Sequence, residues 1–195
     1  TMKISPFTPL HFSEANRSDG MPSRFIQLWA PTDQILVEVI ASAGDTAPSA
    51  SLNDAHTGSV IGPVEWNEWK MNADKVVFFS VLTGLSVGHY KLTVGSLTSD
   101  EFRVTDDANL LSRTTLVQYR FKDNRQREDV VSVIDHMVYF FDFRVPGGFK
   151  DNGWQFGVSN EQFTTQREDI VELFAHDYTM KTFTMGNAIG VPVWY

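Results

Sequence analysis

Through the first hundred positions, short apolar runs follow one another, each closed by Gly, Pro, Asn or Asp. Residues 24–29, 34–40 and 75–81 are β-rich and short, so each predicts a strand. Residues 43–49 and 53–58 lie between them, carry Gly, Asp, Asn and Pro, and read as exposed loops. Residues 89–94 then alternate, Gly95 and Ser96 supply a turn, and 100–104 return the chain as the second arm of a closing hairpin. No amphipathic stretch of helical period precedes residue 105.

Short strands at this spacing favour a β-sandwich over an α/β fold, which needs long amphipathic helices between its strands. Leu85, Gly88 and Tyr90 sharpen this, because they have the spacing of a tyrosine corner. In that motif glycine lets the backbone turn closely, and the ring enters the core while its hydroxyl bonds back to the backbone just upstream. The pattern predicts an immunoglobulin-like Greek-key β-sandwich over 1–105. Residues 105–111 are polar and turn-like and mark a boundary, leaving 106–195 as a second mostly β domain. An α+β character for that second domain, or one larger fold, are the alternatives.

In the second half, 114–121 predicts a strand and the charged 122–129, with Arg125, Arg127, Glu128 and Asp129, a solvated loop or hairpin tip. Residues 137–145 form the most aromatic strand, which Pro146-Gly147-Gly148 is expected to end; 154–158 predicts another. Between 159 and 174, Phe163, Ile170 and Phe174 fit one helical face, while Thr164-Thr165 and Ile170-Val171 favour extended chain, which is the expectation here. Residues 179–185 alternate, and 186–190 turn the chain. The last five residues, Val191-Pro192-Val193-Trp194-Tyr195, are apolar and aromatic and need cover from a partner or a continuation of the chain.

Composition narrows the function classes. The 195 residues carry 16 Lys and Arg against 24 Asp and Glu, a net charge of −8 without a basic cluster, which argues against a nucleic-acid surface. With no cysteine there is no disulfide framework, thiolate metal site or thiol nucleophile. The first residues lack the apolar core of a signal peptide, and no apolar run reaches the roughly 20 residues that span a bilayer, so no membrane role is expected. Thr1 ahead of Met2 reads as an added residue before the natural start, or as the end left by precursor processing.

Candidate chemistry is sparse. His11, His56, His89, His136 and His176 are scattered, none at zinc-pair spacing, so no metal is expected. No nucleophile elbow, phosphate loop or dinucleotide fingerprint is present, and neither catalytic residues nor a cofactor are expected. Glu65 and Glu68, flanked by Trp66 and Trp69, come nearest to the paired carboxylates and stacking rings of a glycosidase. On one strand, however, residues three apart point to opposite faces. Asp151-Asn152-Gly153 reads as a hairpin turn rather than a calcium loop.

The C-terminal half carries a resemblance. Phe141-Asp142-Phe143-Arg144-Val145-Pro146-Gly147-Gly148-Phe149, Asn160-Glu161-Gln162-Phe163, Gln166-Arg167, Glu172-Leu173-Phe174, Tyr178, the segment Lys181 to Gly186 and Gly190 to Tyr195 resemble structural proteins of gut bacteriophages and prophages. In that group the block follows an immunoglobulin-like domain ending in a Tyr-x-Leu-x-Val hairpin, here Tyr90 to Val104. The resemblance implies a non-enzymatic tail or baseplate component of the virion, assembled in the bacterial cytoplasm, with other virion proteins or further copies of itself as partners. It transfers no catalytic residue. Relatives run on past the Gly-Val-Pro-x-Trp segment, so a truncated or short-form member is implied. Phe140, Phe149, Trp154, Trp194 and Tyr195 are the expected partner-binding patch. The alternative is a carbohydrate-binding or adhesion module that stacks sugar on Trp66 and Trp69.

Overall fold

The computed structural model describes residues 2–12, 25–119, 141–149 and 155–186. The fold is mostly β and begins as a two-layer sandwich. One sheet has the order β1-β3-β7-β6, with β1 at Lys3–Ile4, β3 at Ile35–Ser42, β6 at Asn67–Lys70 and β7 at Lys75–Leu82. The facing sheet has the order β2-β10-β8-β4-β5, built from Gln27–Trp29 (β2), Ala50–Asp54 (β4), Val60–Pro63 (β5), Gly88–Val94 (β8) and Phe102–Val104 (β10). Leu97–Thr98 (β9) lies beside β8.

Period-two alternation builds the core. Ile35, Val37, Val39 and Ala41 of β3 and Val76 and Phe78 of β7 meet Leu52, Tyr90, Leu92, Val94, Phe102, Val104 and Trp29 of the other sheet in one buried cluster. Each large side chain sealed there contributes about 1.5–3 kcal/mol relative to exposure. The closing hairpin forms as its alternation predicts, with an irregularity. β8 pairs Thr93 with Thr98 through β9 and Tyr90 with Phe102 through β10, so Ser99 to Glu101 absorb a one-residue offset. Ser99 fills the gap by accepting the Leu92 N–H on its hydroxyl at 2.9 Å.

Local pattern misses part of the second sheet. β4 sits between β8 and β5 although it reads Ala-Ser-Leu-Asn-Asp and only Leu52 is buried; neighbours on both sides, not propensity, make it a strand. β2 shrinks to three residues and joins β10 in parallel.

β3 is buried on its outer face as well, where Leu36 and Ile40 share the sheet surface with Val77. Glu38 lies among them, with no exposed surface. The N-terminal segment clamps it: Ser5 N–H donates to the Glu38 carbonyl at 2.9 Å, the Thr8 hydroxyl accepts the Glu38 N–H at 3.0 Å, and the Ser5 hydroxyl donates to the Glu38 carboxyl at 3.0 Å. Burial pushes the Glu38 carboxyl up from 4.5 to about 7, partly offset by the Ser5 bond. Burial, with the Glu38 charge second, also raises the Tyr119 phenol.

After the sandwich, the boundary segment contains one helical turn, α1 at Ala108–Leu111, capped by the Asp107 side chain accepting the Asn109 N–H at 2.8 Å. A sheet of order β11-β12-β15 follows, from Thr114–Tyr119, Phe141–Phe149 and Phe183–Met185. Gln155–Thr164 (β13) and Ile170–Met180 (β14) form a separate two-stranded hairpin, so 159–164 and 170–174 are extended as expected and a turn at 165–169 joins them. Two expectations fail. Pro146-Gly147-Gly148 does not end its strand: β12 runs through it, exchanging β11 for β15 as partner. Gly147, at φ 127°, permits this, because a Cβ there would collide with the Thr184 carbonyl oxygen. The alternating run 179–185 is also broken at Lys181-Thr182, between β14 and β15.

The β11–β12 pair docks on the sandwich through buried polar groups. Arg144 holds Asp33 by two bonds, Nε to Oδ2 at 2.6 Å and Nη2 to Oδ1 at 2.8 Å, and donates from Nη1 to Thr114 at 3.0 Å. Two residues earlier on β12, Asp142 accepts the Gln34 N–H at 3.0 Å and the Gln118 amide at 2.9 Å.

Two predictions follow from these buried groups. Between about pH 4.5 and 7 the native Glu38 retains a proton that the unfolded chain has released, so stability falls as pH rises through that window. Urea unfolding should show a loss of up to ~3 kcal/mol from pH 4.5 to 8, nearly abolished in Glu38→Gln; an unchanged pH slope in the variant refutes the assignment. Arg144→Ala leaves Asp33 buried without its cation and should cost about 3–5 kcal/mol in the same assay, whereas the apolar pair Asp33→Leu with Arg144→Met should recover part of that loss.

Candidate functional site

The tyrosine of the corner is buried, and its hydroxyl donates to the Ser86 carbonyl at 2.7 Å. Its ring stacks on Phe102, with centroids 5.7 Å apart. Leu85 packs against the core, and a Cβ at Gly88 would stand 3.2 Å from the Tyr90 hydroxyl. These residues close the sandwich edge and offer nothing to a ligand. Tyr90→Phe should keep the fold and lose about 1 kcal/mol in denaturant titration, the worth of one intramolecular hydrogen bond.

The tryptophans do not share a groove. Trp66, in the β5–β6 connection, is half-buried against the core and donates its indole N–H to the Pro48 carbonyl at 2.7 Å. Trp69 is paired with Val77 on the outer face, opposite the side on which Val76 and Phe78 enter the core. Glu65 lies in the same connection and Glu68 on β6, both exposed.

Of the expected partner patch, Phe149 is described: it is exposed and meets Phe183 edge-on, with centroids 5.2 Å apart at 79°. Phe140, Trp154, Trp194 and Tyr195 lie outside the described residues, as do His136, the Asp151-Asn152-Gly153 turn and the 122–129 tip.

A larger apolar surface lies nearby on the β13–β14 hairpin. Tyr178 opposite Gly157, Phe174 opposite Glu161 and Phe163 opposite Val171 share one face with Met180. Phe156, Val158 and Ile170 occupy the other. Exposure reaches 79% at Phe156 and 70% at Ile170, and Phe163, Phe174 and Tyr178 are exposed too. A Cβ on Gly157 would overlap the Tyr178 ring, so the ring lies across the glycine and pins the register. Leu173 is the extra residue of a bulge opposite Glu161 and Gln162. The sequence signal was weak because the apolar residues divide between both faces.

The fold also assembles a cluster that spacing could not reveal. His56 on the β4–β5 turn, His89 on β8 and Glu101 just before β10 place their potential ligand atoms within 4.8 Å of one another. His89 Nδ1 is 2.6 Å from Glu101 Oε1, and the two imidazole centroids are 4.7 Å apart at 45°. The turn is fixed by Asp54, whose carboxylate accepts the N–H groups of His56 at 2.9 Å and Thr57 at 2.7 Å. The Thr57 N–H and hydroxyl, with the His56 N–H a smaller contribution, hold the Asp54 carboxyl below its usual range. The Ala55 N–H donates to the His89 carbonyl at 2.9 Å and ties the turn to β8.

A cleft of about 460 Å³ lies elsewhere, between the N-terminal segment and the β11–β12 pair, with Phe7, His11, Tyr119, Asp142 and Phe143 on its walls. Its carboxylate, Asp142, is already committed to Gln34 and Gln118.

No protein-family model matches the chain, and no curated protein matches it. Among solved structures, a metagenome-derived glycoside hydrolase family 9 endoglucanase is similar over 40% of this chain and 16% of its own, at 17% identity and a TM-score of 0.33. A Zn-binding triple mutant of the family 9 endoglucanase J30 is similar over 62% of this chain and 28% of its own, at 16% identity and a TM-score of 0.29. This chain therefore spans under a third of either protein. Likeness at that level carries no argument about activity.

Proposed function

We propose that this chain is a non-enzymatic structural protein that joins a multi-subunit particle, in keeping with its resemblance to phage tail and baseplate components. The observation that carries this reading is the β13–β14 hairpin. A two-stranded hairpin is marginal alone in water, and this one presents apolar side chains on both faces and backbone edges that pair with no other described strand. Such an element gains its stability from a neighbouring subunit, which covers the rings and extends the sheet. Its partner in this reading is a second copy of the chain, repeated around a ring or along a tube.

The sandwich serves as the rigid carrier, and we assign it to the immunoglobulin-like type. Lettered in chain order, β1, β3, β7 and β6 take the A, B, E and D places, and β10, β8, β4 and β5 take G, F, C and C′. The Tyr90–Ser86 bond supports the same assignment. The carbohydrate-binding alternative gains nothing from the tryptophans, which lie on different faces with the Trp66 N–H already bonded.

Size-exclusion chromatography with light scattering, run over a hundredfold concentration range, should show association, and negative-stain micrographs should show rings or tubes. Phe163→Asp combined with Phe174→Asp should yield a monomer whose sandwich unfolds at the wild-type denaturant midpoint, because both side chains are exposed. A wild-type chain that stays monomeric throughout, or a double variant that associates as the wild type does, overturns the reading.

A further inference from the structure

We propose that His56, His89 and Glu101 form a binding site for one divalent transition-metal ion, with Zn²⁺ the best-matched occupant. The inference stands independently of the assembly reading, since the cluster lies on the sandwich and not on the hairpin. Two imidazoles and one carboxylate are the donor set of open zinc sites, which leave a fourth position to water or another ligand. Nitrogen donors also favour Zn²⁺, Ni²⁺ and Cu²⁺ over Mg²⁺ and Ca²⁺, which take oxygen shells.

Geometry supports the same conclusion. Ligands about 2.0–2.2 Å from zinc in a tetrahedron lie about 3.4 Å from each other. Here the donors fall within 4.8 Å, and the closest pair stands at 2.6 Å, so modest side-chain rotations bring all three onto one ion. The backbone beneath them is already set. His89 sits on β8, which pairs on both sides, the Asp54-capped turn carries His56 and is bonded to the His89 carbonyl, and Glu101 immediately precedes β10. This fixes what a ligand would otherwise have to order.

The charges fit as well. His89 and Glu101 are half-buried and His56 is exposed, so an ion reaches the site from solvent. A single cation shared between the two imidazoles, whose centroids stand 4.7 Å apart, is also attracted by the Glu101 carboxylate. Arg103, opposite His89 on β10, and Lys91, two residues along β8, are cations on the same sheet face and set an upper limit on affinity rather than excluding the ion. Asp54 contributes through the turn, its carboxylate already engaged by His56 and Thr57.

The test is isothermal titration of Zn²⁺ into the full chain, free of any polyhistidine tag and stripped with chelator beforehand. One ion per chain is expected, undisturbed by excess Mg²⁺ or Ca²⁺ and weakened as pH falls. His56→Asn, His89→Asn and Glu101→Gln should each weaken binding by about tenfold or more, losses at least as large as those from removing supporting residues around a metal. His56 is exposed, so His56→Asn should retain the wild-type circular dichroism and unfolding midpoint while losing the Zn²⁺-induced rise in that midpoint. Co²⁺ should give the visible absorption of a low-symmetry site in the wild type and not in His56→Asn. Absence of saturable binding, or binding and cobalt absorption unchanged by His56→Asn and Glu101→Gln, overturns the assignment.

Discussion

The constraint on which this structure rests is that β3 must be covered on both faces. A strand of Ile, Leu, Val and Ile residues with a carboxylate at its centre cannot leave its second face to water, as an ordinary antiparallel sheet does. The first face meets the opposing sheet. The second requires the N-terminal segment, whose Ser5 and Thr8 bond the one polar residue sealed there. The β11–β12 pair then approaches the same strand region through Asp33 and Gln34, at the entry to β3. The segments on either side of the sandwich are thus tied to it by the burial demand of one strand.

Legibility in the sequence followed from how much of each element's stability is local. β3, β7 and β8 were readable because β-branched and aromatic residues recur there, and Tyr90 announced its own corner. β4 was unreadable because its strand character comes from β8 and β5, which no window of five residues contains. Pro146-Gly147-Gly148 was misread because glycine and proline ordinarily end strands, whereas here they allow one strand to change partners. The histidine cluster lay beyond any spacing rule. His56 lies on the β4–β5 turn and His89 within β8, and their meeting depends on the register between β4 and β8. The available hint was parity: with Tyr90 facing inward, His89 had to face outward.

The two ends of the molecule obey different physics. In the sandwich, side chains from two sheets exclude water and specify a single arrangement. In the β13–β14 hairpin, register is set by a ring lying over a glycine and by a bulge, and little else covers the apolar surface. The sandwich is held by one buried core together with the Arg144 and Asp142 contacts, and the hairpin leaves its apolar residues exposed.

The exchange of partners along β12 also determines how the chain would bear mechanical load. The strand is held by β11 over its first six pairs and by β15 over its last three, and Arg144, its link to Asp33, lies within the first stretch. β15 follows the hairpin after only two residues. A pull on the hairpin therefore reaches β12 by two routes, along the chain through residues 150–154 and across the three-pair β15 ladder. Of the two ladders on β12 the β15 one is the shorter, three pairs against six, so β15 has the fewest backbone bonds to lose when this sheet is strained.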